Sequence, residues 1–103
     1  MTTLLALYRR PEGGPDAEAE FERRYRDEHL PLVAGTPGLR STTVRRVTSR
    51  LTGDDLLLVT TMTFDDRGAL DAGLASDAMR AAGRNLREII PGDRVTLVVL
   101  EDD

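Results

Sequence analysis

Two short segments, Leu56-Leu57-Leu58-Val59-Thr60 and Val95-Thr96-Leu97-Val98-Val99-Leu100, set the strongest constraint on how this chain folds. A strand with one wet face alternates apolar and polar residues, whereas these two present apolar side chains in both directions. Each is too short for a helix and far below the roughly 20 residues needed to span a bilayer. They therefore predict strands covered on both sides. A chain of 103 residues has one domain's worth of material, residues 1–103, to do the covering.

Elements on either side follow from local chemistry. Residues 3–8 read as a strand ending at Arg9-Arg10-Pro11, with turn material from Pro11 to Pro15. Asp16 suits a helix N-cap, and Ala17, Phe21, Tyr25 and Leu32 recur at helical spacing. Pro31 disfavours helical geometry at its predecessor, so this first helix is expected over 17–30. Thr, Val and Arg alternate over 39–50 as a strand with one wet face, and Leu51 to Asp55 turns the chain into a strand over 56–64. Asp65 or Asp66 caps a short helix carrying Leu70 and Leu74. Ser76 opens another with Met79, Ala82, Gly83, Leu86 and Ile90 on one face, and Pro91-Gly92 ends it before the last strand, 95–100.

The order β-α-β-β-α-β, with the second helix in two pieces, is that of an α+β ferredoxin-like sandwich with a four-stranded antiparallel sheet. Its helices cover one face of the sheet. The other face is expected to meet a second copy of the chain in a face-to-face homodimer, removing several hundred Å² of apolar surface from water at about 25 cal/mol per Å².

Composition excludes much chemistry. Cysteine is absent, so disulfides, thiolate metal sites and a cysteine nucleophile are ruled out. Lysine is absent, which removes a Schiff-base mechanism. His29 is the only histidine, and with scattered carboxylates no metal site is expected. The 14 basic residues are all arginine, but 18 acidic residues give a net charge of −4. Arg23, Arg24 and Arg26 are interleaved with Glu20, Glu22, Asp27 and Glu28, so neither nucleic acid nor a membrane is an expected partner. The N-terminal residues lack the basic start and apolar stretch of a signal peptide, and a cytoplasmic location is expected.

His29 titrates nearest neutrality and is the natural general acid or base. At 100° per residue from Phe21, Tyr25 lies about 40° round the helix, Leu32 about 20° and His29 about 80°. Tyr25 and His29 are thus one turn apart, on the flank of the buried stripe. They can pair at a cavity between helix and sheet, or His29 can simply cap the helix end on a backbone carbonyl. Tyr8, Leu32, Met62, Phe64, Met79 and Asn85 are the candidate ligand contacts. Core packing is the alternative for Met62, Phe64 and Met79, and a solvated helix face for Asn85.

Several strings resemble the EthD family: Tyr8-Arg9-Arg10-Pro11-Glu12, then Phe21, Tyr25 and Glu28-His29-Leu30-Pro31-Leu32, then Pro37-Gly38-Leu39-Arg40. Met62-Thr63-Phe64-Asp65 and Ala75-Ser76-Asp77 extend the resemblance over roughly residues 4–100, the His-x-Pro-Leu segment being its most specific part. The resemblance implies the dimeric α+β barrel superfamily. That superfamily includes cofactor-free monooxygenases of aromatic polyketides, polyketide cyclases, lactone isomerases and haem-dependent enzymes, and fold does not choose among them. No G-x-G-x-x-G or Walker sequence is present, so no tightly bound cofactor is expected. The expectation is a small homodimeric enzyme acting on an apolar or aromatic ligand with His29 moving a proton. A non-catalytic ligand-binding or accessory protein is the alternative.

Overall fold

Alternation along the first strand orients the whole molecule. In the computed structural model, which describes residues 1–103, Thr2, Leu4, Ala6 and Tyr8 of β1 (Thr2–Arg9) are buried, while the residues between them are half-buried. β1 pairs antiparallel with β3 (Leu56–Phe64) and β4 (Val95–Glu101), and β2 (Ser41–Arg46) pairs antiparallel with β3. The sheet order is β2-β3-β1-β4, the expected ferredoxin-like arrangement. Cross-strand partners share a face, so Leu58, Thr60, Met62 and Phe64 of β3 join the buried face of β1. Helices α1 (Gly14–Arg24), α2 (Leu30–Ala34), α3 (Arg67–Leu74) and α4 (Asp77–Ile89) supply Phe21, Val33, Leu70 and Ala82 to the same core.

The two caps foreseen for the later helices form: Asp66 accepts from the Ala69 amide at 2.8 Å and Ser76 from the Met79 amide at 3.2 Å. The first helix departs from expectation at both ends. It begins at Gly14, behind an N-cap at Gly13 whose φ of 110° suits glycine, and Asp16 lies inside its first turn. It also runs through Pro31. Tyr25–His29 form a π turn, in which the Leu30 amide bonds back five residues to Tyr25, and α2 continues directly from it. Proline has no amide proton and its ring crowds the carbonyl four residues back; a widened turn relieves both problems without ending the helix.

β2 is shorter than the expected 39–50. It is an edge strand in which only Val44 is half-buried, so little apolar contact extends its pairing.

The apolar run at the start of β3 also has a different cause from the one inferred. The register between β1 and β3 slips between Tyr8 and Arg9, so Leu57 is an extra, bulged residue. Leu57 and Leu58 are consecutive and both buried for that reason. In β4 apolar residues do point both ways: Val95, Leu97 and Val99 fall in register with the helix-facing side of β1, though Leu97 is 56% exposed, and Val98 and Leu100 with the other side, beside Leu5 and Thr3. Leu5, Leu7, Val59, Val98 and Leu100 thus share the face away from the helices. Val98 and Leu100 remain 37% and 45% exposed there.

Candidate functional site around Tyr25 and His29

The end of β1, α1 and the π turn bring four ring systems together. Tyr8, Phe21 and Tyr25 pack with centroids 5.0 to 5.8 Å apart, the two tyrosines edge to face. Tyr25 and His29, at the two ends of the π turn, stack at 5.1 Å with 28° between planes. The Tyr25 hydroxyl donates to Tyr8 Oη at 3.1 Å and shares a 2.6 Å hydrogen bond with Thr60 Oγ1.

Burial sets the charge state of each group. It raises the Tyr8 phenol far above the ordinary range, with the neighbouring Tyr25 phenol and its hydrogen bond acting in the same sense. It raises Tyr25 as well, against the opposing effects of Thr60, Tyr8 and Arg26. It lowers His29, outweighing the Ala82 backbone and the Asn85 amide, which both favour the protonated ring. All three side chains are therefore neutral near pH 7. His29 is only 5% exposed, and its Nδ1 is buried without a hydrogen-bond partner.

The other anticipated contacts divide. Asn85, on α4, favours the protonated imidazole, but its Oδ1 is buried without a hydrogen-bond partner. Its Nδ2 donates to Glu28 Oε1 at 3.0 Å, and Arg24 grips Glu28 with Nε at 2.9 Å and Nη2 at 3.0 Å. Those Arg24 hydrogen bonds, followed by the one from Asn85, hold the Glu28 carboxyl below the usual range. Met62 and Phe64 are buried further along β3. Phe64 lies against Gly73 and Gly38, four residues and about 14 Å of strand beyond Thr60. Leu32 and Met79 are half-buried against the same core. Sequence reasoning missed Thr60 and Glu28. Thr60 was detectable as the one polar residue among Leu58, Met62 and Phe64 on the inward side of β3. Glu28 was detectable from its four-residue spacing to Arg24 on one helix.

Two surface clefts lie elsewhere. One, of about 400 Å³, sits between Pro11, Phe21, Arg24, Ile89 and Arg94. The other, of about 390 Å³, lies between Leu86 and Ile90 of α4 and Val95 and Leu97 of β4. Neither is lined by Tyr8, Tyr25 or His29. No helix is long and apolar enough to cross a membrane.

Comparison with known proteins gives a consistent picture. No protein of curated function matches the sequence. An EthD family protein from Bacillus halodurans C-125 is 30% identical, with a TM-score of 0.87 over 100% of this chain and 99% of the other. A dimeric ferredoxin-like protein of unknown function from Jannaschia sp. CCS1 is 22% identical, with a TM-score of 0.71 over 99% of this chain and 100% of that one. A candidate antibiotic biosynthesis monooxygenase from Caulobacter crescentus CB15 is 20% identical, with a TM-score of 0.65 over 99% and 89%. These last two likenesses speak to fold alone. The EthD domain model matches residues 16–88, from the first turn of α1 nearly to the end of α4, and the chain belongs to the EthD domain family.

Proposed function

We propose that this EthD domain is a homodimeric enzyme of small-molecule metabolism, acting on an aromatic, polyketide-like or xenobiotic substrate. In this reading His29 is the general acid–base and no cofactor is tightly bound. The observation that carries it is the state of His29: a sole histidine, buried, held neutral, with Nδ1 unpartnered and stacked on a phenol whose hydroxyl joins two others. A neutral imidazole accepts a proton from a carbon or hydroxyl acid and returns it. The phenols of Tyr25 and Tyr8 stay protonated and so remain donors for an oxyanion that develops beside them. Aromatic walls favour an aromatic or apolar substrate. Isomerisation, cyclisation, dehydration and cofactor-free oxygenation all need this proton transfer, and the fold likeness to an antibiotic biosynthesis monooxygenase fits the last.

A non-catalytic ligand-binding or accessory role is favoured by one observation: neither surface cleft reaches His29. The experiment has two steps. Native mass spectrometry of purified protein identifies a co-purified small molecule, and compounds of its class are assayed with wild type and His29→Gln. Turnover that falls at least 100-fold in the variant, with an unchanged melting temperature, supports the enzyme. Binding without turnover, or equal turnover in both proteins, overturns it.

A further inference from the structure

On an unbroken α-helix the face of Phe21 and Tyr25 returns at Leu32, about 20° from Phe21 at 100° per residue. Val33 would then lie about 120° away and Leu30 about 180° away, on the opposite side. The structure is one residue out of that register. Val33 is 2% exposed, Leu30 and Leu32 are half-buried, and Pro31 is exposed. One extra residue in the helix explains all four, because it takes about 100° off every later position: Val33 comes to about 20°, Leu30 to about 80°, Leu32 to about 80° on the other flank and Pro31 to the far side. The π turn supplies that residue, the Leu30 amide reaching back to the Tyr25 carbonyl instead of that of Arg26. His29 closes the turn. Helical spacing would leave it about 80° from Phe21, on the flank, yet it is buried and stacked on Tyr25 at 5.1 Å.

Nothing inside Tyr25-Arg26-Asp27-Glu28-His29 obliges the helix to widen, for it holds neither glycine nor proline. Pro31 does, since its ring crowds the Asp27 carbonyl and it has no amide to offer there. We propose that Pro31 is a positioning residue: by forcing one extra residue into the turn before it, it carries His29 off the helix flank and onto Tyr25. The importance of this placement for catalysis rests on the acid–base reading of His29; its test does not.

Pro31→Ala leaves a second register open, with Leu32 taking the place of Val33 on the buried face. The scalar coupling carried through a backbone hydrogen bond identifies the carbonyl that each amide meets. From the Leu30 nitrogen it is expected to reach the Tyr25 carbonyl carbon in wild type and that of Arg26 in Pro31→Ala. His29 is the only histidine, so its ring-carbon protons give one pair of signals. The Tyr25 ring shifts them upfield in wild type, and in Pro31→Ala they are expected to move to the positions found in Tyr25→Leu. If Pro31→Ala does not fold, deleting exposed Asp27 as well removes the extra residue and returns Val33 to about 20° by plain helical spacing; recovery of folding then supports the proposal, and failure of both variants overturns it. A Leu30–Tyr25 coupling that persists in Pro31→Ala, or ring signals that stay upfield, also overturns it. If the register changes and turnover does not, the positioning stands and the catalytic reading of His29 falls.

Discussion

At the level of single residues, burial keeps two phenols and one imidazole neutral, and the imidazole is the one whose neutrality can be lost under mild conditions. Its proton affinity in the folded state is lowered, chiefly by desolvation, from the ordinary value near 6.5. The unfolded chain then binds the proton more readily, so the contribution to stability is full above about pH 6.5 and is lost as pH falls towards the folded-state value. Denaturant midpoints of wild type are expected to decline as pH falls below about 6.5, with a flatter curve for His29→Gln; parallel curves would remove the assigned cause. A second expectation concerns the hydroxyl cluster. Tyr25→Phe leaves Tyr8 Oη and Thr60 Oγ1 without their shared partner in a dry site, at a cost of about 1–3 kcal/mol in urea unfolding. The residue types here were legible in the sequence, because a lone histidine one turn from a tyrosine stands out. Their partners were not. Thr60 is 35 positions from Tyr25 and Asn85 is 57 from Glu28, so only the docking of β3 and α4 brings them near.

Among the elements, the caps at Asp66 and Ser76 and the alternation in β1 were readable because each depends on a few neighbouring residues. The helix through Pro31 was not. Proline argues locally for a stop, and the gain that carries the helix onward is tertiary: Phe21, Tyr25 and His29 before the proline and Val33 after it are all buried. A similar tertiary fit governs α3. A Cβ on Gly73 would stand 2.9 Å from Phe64 Cε2, 3.1 Å from Thr36 Cγ2 and 3.3 Å from the Pro37 carbonyl oxygen. Gly73→Ala improves intrinsic helix propensity by roughly 1 kcal/mol, yet it must push aside a buried ring and a backbone carbonyl. Net destabilisation of about 1–3 kcal/mol is expected. At roughly 4–8 °C per kcal/mol for a chain of this size, the change is visible in a thermal melt. A melt at or above wild type would show that α3 slides freely on β3.

For the molecule as a whole, the question is what meets the sheet face turned away from the helices. Leu5 and Leu7 on β1, Val59 on β3, and Val98 and Leu100 on β4 form its centre, with Thr3, Thr43, Thr61, Thr63 and Thr96 among them and Arg9 and Arg45 towards one end. An apolar centre with a polar margin is the anatomy of a protein interface. The face is less greasy than the sequence suggested, because the Leu56–Leu58 run resolves into a bulge. What survives is the exposure of Val98 and Leu100, with β1 and β4 lying side by side. Two copies meeting through this face would bury five aliphatic side chains each. Because these side chains are already half-buried or more, the burial still to be gained by the two copies is on the order of 5–10 kcal/mol, comparable with the 8.2 kcal/mol of a micromolar complex before the cost of association is subtracted. Val98→Glu puts a charge on that face, beside Leu5, while leaving the helix-facing core, and His29 within it, untouched. Sedimentation velocity is expected to give a dimer for wild type at tens of micromolar and a folded monomer for the variant. A wild type that sediments as a monomer would leave the open face solvated, and the homodimer would have to be abandoned.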